Sequence, residues 1–385
     1  MDFELDQDQQ MLAKTVGDFA KNESPVARFR QLRDTDIGYE PAAWRKMGEL
    51  GWMGVPFAES VGGFGGSFVE CALIIENLAS TLVPEPYLAS VVLGGMTLAR
   101  AGNAAQHEAY LTPMIEGETT LALAYSEAQS RHDVSSVETT ATPNGSGYKL
   151  SGEKVWVLNG HHADHLIVSA KAPGGVTLFV VPRDADGVNV MVAKTIDGQK
   201  AAFIRFEDVT VDGDSRLGEE GSGAAVLDRT MDYAAAAAVA EGVGITTTML
   251  RMTVDYLGTR EQFGVKIGSF QALQHRAVDM YAETELLRSI SIASMVRADE
   301  DDTEVSVGDW RDLGRAAVPT TARRYRRDRR ARHRALLQAN VRTQCALRRP
   351  GAPRGSVRKR SGVCRSGCLS SYWLCNALAR RSIGL

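Results

Sequence analysis

The first 314 residues contain very little cysteine and no long apolar run. Cys71 is the only thiol in this part of the chain, which excludes a disulfide framework there and suits a reducing compartment, the cytoplasm. The N-terminal segment, MDFELDQDQQM, is acidic and carries neither the basic nor the apolar region of a signal peptide. No stretch approaches the roughly 18 apolar residues of a membrane span. We therefore expect a cytoplasmic protein without a membrane span.

Acidic residues are nearly absent from the end of the sequence. Residues 315–385 contain 18 Arg and one Lys against a single acid, Asp328. The first 314 residues contain 25 basic and 46 acidic residues, so the formal net charge of −3 hides a sharp division. The acidic body argues against nucleic acid as the partner of residues 1–314.

Three interpretations of the tail, residues 315–385, compete. It could be a basic arm for nucleic acid or another anionic surface, although aromatic residues are sparse in it. It could bind zinc through Cys364, Cys368 and Cys375, although this spacing fits no common zinc pattern. It could also be an out-of-frame translation of a GC-rich gene, which yields arginine, alanine, glycine, proline and serine with few acids. The composition favours the third interpretation, with the shift between residues 312 and 320.

The hydrophobic period divides the rest of the chain into three parts. Apolar residues recur at helical spacing up to about residue 117, for example over residues 68–79. Short apolar segments separated by Gly, Pro and Asn turns follow and indicate strands. They cover residues 120–125, 148–151, 154–158, 165–169, 176–181 and 201–206. Helical spacing then returns over residues 225–259 and 271–297, and a third helix is predicted to begin at residue 310.

These periods predict an α+β fold. It comprises an N-terminal helical domain (1–117), a central small β-barrel or sandwich (118–222) and the first helices of a C-terminal bundle (223–314), followed by the anomalous tail (315–385). The bundle is incomplete because the tail carries no apolar stripe that a bundle could bury.

Four segments carry motifs. They read PFAESVGGFGG (56–66), AYSEAQSRHDV (124–134), GEKVWVLNG (152–160) and YLGTREQFGVKIGSFQ (256–271). In this order they resemble the acyl-CoA dehydrogenase family, flavoproteins with a helical, β, helical architecture. The last segment is the most specific, since it matches in residue type and in spacing. No G-x-G-x-x-G stands between a strand and a helix, so a Rossmann nucleotide site is not supported.

The resemblance implies bound FAD. It places Tyr125 and Ser126 at the pyrimidine ring of the flavin and Trp156 beside the ring system. Leu158 stands where the family has a threonine near flavin N5, and His132 stands where a serine usually helps to hold the CoA ester. Without the resemblance, an ordinary strand end and a tryptophan in a sheet core would explain these residues.

The resemblance also implies an oligomer. It assigns Arg260, Gln262, Phe263 and Gln271 to the diphosphate and adenosine half of FAD held by a neighbouring subunit, in a homo- or hetero-oligomer. Arginine suits this role because its guanidinium donates two parallel hydrogen bonds to phosphate. A surface arginine beside a turn is the alternative.

The implied reaction converts an acyl-CoA to a trans-2-enoyl-CoA and passes electrons to a separate electron-transfer flavoprotein. It needs a carboxylate base. Most family members supply a glutamate from the last part of the bundle, but residues 315–385 contain none. A minority supply it from the first long bundle helix, where this chain has alanine; the nearest acids are Asp228, Asp232 and Glu241. No catalytic base is therefore assigned, and we expect weak activity or none. The alternative is a non-catalytic partner subunit.

Three histidines, His161, His162 and His165, invite a metal hypothesis. Only Asp164 lies beside them in the sequence, and there is no cysteine nearby. We interpret them as a solvated loop and expect no metal.

Overall fold

The computed structural model describes residues 5–130 and 133–299. Its first part is helical. It contains α1 (Gln7–Asn22), α2 (Val26–Leu32), α3 (Pro41–Glu49), α4 (Phe68–Ala79), α5 (Met96–Ala101), α6 (Ala104–Gln106) and α7 (Thr112–Ile115), with a wider π-helical stretch, Leu88–Gly95, leading into α5. Reciprocal capping boxes start α1, between Asp6 and Gln9, and α4, between Ser67 and Glu70.

The central part is an eight-stranded sheet. Its strands are β1 (Leu121–Ala124), β2 (Thr140–Asn144), β3 (Gly147–Leu158), β4 (His165–Ala172), β5 (Gly175–Pro182), β6 (Val188–Lys194), β7 (Lys200–Val211) and β8 (Arg216–Leu217). They follow the order β6-β7-β3-β2-β4-β5-β8, and β1 pairs in parallel with β4. The two predicted segments 148–151 and 154–158 belong to the single strand β3, while β2, β6 and β8 were not predicted.

The last part contains two long helices joined by a short hairpin. These are α8 (Gly223–Thr259), β9 (Glu261–Gln262), β10 (Val265–Lys266) and α9 (Gln271–Asp299). By length and composition α8 could cross a membrane, but 72% of its most apolar window is buried inside the protein, as in a core helix. The helix predicted from residue 310 and the tail lie outside the described residues.

The predicted α+β architecture is confirmed. One hydrophobic core joins the N-terminal helices to β1 and to α8, with Trp44, Leu121 and Ala237 among its members. A second core lies within the sheet around Phe179 and Phe206. β1 is buried along its whole length and contributes to both cores, Leu121 to the first and Ala122 to the second. The residues that follow β1 therefore leave the sheet where it meets the helices.

Candidate functional site

The first candidate site begins where β1 ends. The parallel pairing of Ala124 with Val168 fixes the end of the strand. Tyr125 and Ser126 follow and are only partly buried. Tyr125 packs against the core that joins the sheet to the helices, and burial raises the pKa of its hydroxyl.

A bulge in β3 lies beside this strand end. The register between β3 and β7 shifts between Lys154 and Val157, so Val155 and Trp156 of β3 lie opposite a single residue of β7. One of them, Trp156, has a φ of +58°, a left-handed conformation that is uncommon for a bulky side chain. The N–H of the other, Val155, donates to the carbonyl oxygen of Ser126 at 2.8 Å. The structure therefore brings the Tyr125–Ser126 segment and the Trp156 segment together, although 30 residues of sequence separate Ser126 from Trp156.

Partly exposed apolar side chains line this junction. The Trp156 ring contacts Phe203 of β7 edge to face, with 4.8 Å between ring centroids. Leu158 is half-buried and packs against the same core as Tyr125. We call Tyr125, Ser126, Trp156 and Leu158 the wall. Such a surface can cover a flat, largely apolar ring system.

Asn159, directly after the wall, was missed by the sequence reasoning. It is 5% exposed, with a φ of +57°, and neither atom of its side-chain amide has a hydrogen-bond partner among the described residues. It lines a cleft with Tyr39, Leu158 and Lys200. A polar group of a bound molecule would satisfy this amide. An apolar wall next to an unsatisfied amide fits a flavin, whose ring is apolar on its faces and polar at its edges. The Asn-Gly pair at residues 159–160 was the available signal, because it favours a left-handed turn.

Glu127 and Lys154 form a buried ion pair that was also missed. Lys154 Nζ lies 2.6 Å from Glu127 Oε1, and the two side chains are 0% and 3% exposed. Burial alone would raise the pKa of Glu127, but the Lys154 charge and several hydrogen bonds hold it at about 2. Burial lowers the pKa of Lys154 to about 8, against the opposing effect of Glu127. Both groups are therefore ionised at neutral pH.

The second set of predicted residues lies on an exposed arm formed by β9, β10 and the start of α9. Arg260, Gln262 and Gln271 are exposed, and Phe263 is 94% exposed. The Phe263 ring contacts that of Phe270 edge to face at 6.1 Å. The arm thus presents a cation, two amides and an aromatic ring to the surroundings, where another chain could use them.

The remaining predicted residues are His132 and the three acids considered as a catalytic base. His132 lies outside the described residues. On α8, Asp228 is exposed, Asp232 is buried and Glu241 is half-buried, beside an alanine-rich stretch that is also buried.

The histidines are not a solvated loop as predicted, because all three are half-buried. His161 Nε2 lies 2.6 Å from the carbonyl oxygen of Ile37, and the rings of His162 and His165 pack against Tyr39 and Tyr110. The turn after β3 is held against the N-terminal helical part, which the sequence could not reveal. Within residues 5–130 and 133–299, no group of three His, Cys, Asp or Glu side chains could hold a metal ion.

Comparison with known proteins gives a consistent assignment. Three family models match consecutive parts of the chain: acyl-CoA dehydrogenase N-terminal domain at residues 6–118, middle domain at 122–209 and C-terminal domain at 221–318. The chain is 33% identical over 301 residues to the probable acyl-CoA dehydrogenase YngJ of Bacillus subtilis, covering 75% of this chain and 79% of that protein.

Two solved structures have the same fold. Butyryl-CoA dehydrogenase from Megasphaera elsdenii aligns with a TM-score of 0.81 at 26% identity, covering 91% of this chain and 97% of that chain. A chain of the ChsE4-ChsE5 complex from Mycobacterium tuberculosis aligns with a TM-score of 0.81 at 26% identity, covering 90% of this chain and 95% of that chain.

Proposed function

This chain belongs to the acyl-CoA dehydrogenase family, and on that premise we propose that it is an FAD-dependent enzyme of the cytoplasm that converts an acyl-CoA thioester to a trans-2-enoyl-CoA. Electrons pass to a separate electron-transfer flavoprotein. The observation that carries the proposal is the junction of the wall, where Val155 N–H bonds to Ser126 O and a β-bulge presents Trp156.

The bound FAD supplies the acceptor for the hydride that leaves the β-carbon. Tyr125 and Ser126 would hold the polar edge of the flavin ring, and Trp156 and Leu158 would pack beside the ring and exclude water. Leu158 cannot donate a side-chain hydrogen bond, so its backbone N–H is the donor available at that position. Asn159 offers one further donor and acceptor beside the ring.

The other half of the cofactor is held by a second chain. Arg260 binds the diphosphate, and Gln262, Phe263 and Gln271 contact the adenosine half from across the interface. Their exposure on the arm supports this role, since none of them is buried within its own chain. The functional unit is accordingly a dimer or tetramer. His132 is assigned to the CoA ester of the substrate on its position in the sequence motif alone.

The proton at the α-carbon needs a base, and none is assigned. Of the acids nearest the alanine-rich stretch of α8, Asp232 is buried, Glu241 is half-buried and Asp228 is exposed. Burial can tune the pKa of a carboxyl group for proton transfer, but no contact among the described residues places Asp232 beside a substrate. We therefore expect the 385-residue chain to turn over acyl-CoA weakly or not at all.

A second candidate function is that of a partner subunit that completes the flavin site of a related chain. On α8, this chain has alanine where some family members carry the catalytic acid. This absence of an acid on the alanine-rich face favours the partner-subunit function. The similarity to a chain of the ChsE4-ChsE5 complex, which is named after two proteins, supports it further.

The test uses the intact chain. Its full length is verified by mass spectrometry, and its visible flavin absorbance and acyl-CoA turnover are measured alone and with a co-expressed related polypeptide. Bound FAD with activity only in the mixture supports the partner-subunit function, and activity of the chain alone supports the enzyme. A colourless protein that takes up no FAD in either preparation would contradict both.

A further inference from the structure

The buried pair of Glu127 and Lys154 lies directly behind the wall. Glu127 follows Ser126 in the chain, and Lys154 is the residue at which the bulge of β3 begins. Their 2.6 Å contact therefore ties the same two segments that the Val155–Ser126 hydrogen bond joins.

Gln129 Nε2 also donates to the Glu127 carboxylate from the same loop, and further hydrogen bonds of the pair extend to two other strands. The Glu127 carboxylate accepts the backbone N–H of Glu138 at 2.7 Å and that of Thr139 at 3.1 Å, just before β2. Lys154 Nζ also donates to Ser169 Oγ of β4 at 2.9 Å. One ion pair thus fixes the loop after β1, the start of β2, β3 and β4 relative to one another.

A buried ion pair of this kind usually adds little to the free energy of unfolding. Removing two charges from water costs several kcal/mol for each ion, and apolar residues of similar volume often stabilise a protein as well or better. Its value lies in geometry, since the short, charge-assisted contact permits little variation in the distance between the joined segments.

We propose that Glu127 and Lys154 are positioning residues: their ion pair sets the spacing between Ser126 and the Trp156 bulge and thereby the fit of the flavin ring. In the proposed arrangement neither side chain touches the flavin ring. Both affect the ring by holding the two segments that carry the wall residues. The inference rests on the proposed function for its cofactor, but the spacing itself can be measured without one.

The test compares the intact wild-type chain with the double variant Glu127→Gln/Lys154→Met. Neutral side chains of similar length replace the pair, so the variant does not leave a single buried charge and is expected to fold. The matched control is Glu153→Gln/Arg205→Met, which removes a neighbouring ion pair of the same sheet whose side chains are 61% and 60% exposed.

Two readouts are used. In the absence of FAD, hydrogen exchange of peptides covering residues 154–158 is expected to be about tenfold faster in the double variant, with peptides of β5 unchanged. With FAD, the dissociation constant is expected to rise by about tenfold, and the visible circular dichroism of the flavin to change. The control should match the wild type in both.

Unchanged exchange at residues 154–158 in the folded double variant overturns the positioning role, whether or not FAD binds. Unchanged FAD affinity and circular dichroism overturn its effect on the ring. A wild-type chain that binds no FAD refutes the proposed function instead, and hydrogen exchange alone then decides whether the pair sets the spacing. If the double variant does not fold, the single variant Lys154→Arg, which keeps the charge and changes the reach, replaces it in both readouts.

Discussion

Gly244 of α8 lies against the carbonyl oxygen of Glu76 on α4, so closely that a β-carbon at residue 244 would overlap with that oxygen. The contact joins the C-terminal helix pair to the N-terminal helical part, backbone to backbone. It also fixes the depth to which the alanine-rich face of α8 enters the core.

Gly244→Ala should therefore separate the two helices and destabilise the protein by about 1–3 kcal/mol, as overpacking of a core does. Gly258→Ala is the matched control on the same helix, because a β-carbon there meets nothing within 4 Å. It should stabilise the protein by up to about 1 kcal/mol through helix propensity. Urea unfolding of both variants measures the difference, and equal effects would contradict the close packing.

Arg28 should be essential for stability because it neutralises a buried acid. Its guanidinium bonds to Glu85 at 2.6 Å, and the Glu85 side chain is 0% exposed. Arg28→Ala leaves that carboxylate without its charge partner, at a cost of about 3–5 kcal/mol. Arg205→Ala breaks an exposed pair with Glu153 and should change stability by less than about 0.5 kcal/mol. Thermal unfolding distinguishes the two, and a similar small loss in both would show that Glu85 is well solvated.

The acid stability of the protein should depend on Glu127. The pKa of this carboxyl group falls from 4.5 in the unfolded chain to about 2 in the folded protein. Its contribution is therefore complete above about pH 4.5 and is lost as the pH falls towards 2, by on the order of 3 kcal/mol. The free energy of unfolding, measured by urea at several pH values in this window, should fall less steeply for Glu127→Gln/Lys154→Met. Parallel curves for the two proteins would argue against the shift.

If the two halves of the cofactor site come from different chains, two defective variants should complement each other. Trp156→Ala damages the wall and Arg260→Ala damages the arm, so each alone should lose most bound FAD. Mixed oligomers of the two contain sites that combine an intact wall with an intact arm. Co-expression should accordingly restore a substantial part of the flavin absorbance. The control is the Trp156→Ala/Arg260→Ala chain co-expressed with wild type, and no recovery beyond the single variants would place the whole site within one chain.

The elements that could be predicted from the sequence are those with a clear apolar face or with nearly continuous burial. Helix α4 was predicted with its observed bounds because its capping box and apolar face agree, and β4 and β5 were predicted because they are buried almost throughout. Strand β6 was missed because most of it is exposed, so it shows no apolar alternation. The π-helical stretch Leu88–Gly95 was missed because it is buried on all sides and has no polar face to reveal a period.

From the sequence, only the site residues that correspond to family motif positions could be predicted. Glu127 follows the predicted Ser126, and Lys154 lies two residues before the predicted Trp156, but a single charged residue in or beside a strand usually indicates a solvated face. Their pairing over 27 positions depends on how β1 and β3 approach each other in space. The left-handed φ of Trp156 and the unsatisfied amide of Asn159 are likewise results of the bulge and the turn, which no residue type specifies by itself.

The wall can be completed only late in translation, because its second half packs against β7. Val157 and Leu158 pair with Ala202 and Ala201, and Phe203 supports the Trp156 ring, so the second half of the wall has no backing until β7 has been made. A nascent chain that ends before residue 203 can already pair β1 with β4 and place Tyr125 directly after β1, but it lacks the Phe203 ring that the Trp156 indole contacts. If the chain binds FAD as proposed, cofactor capture is a late step in its maturation, and a pause in translation before β7 would leave a nascent chain unable to retain flavin.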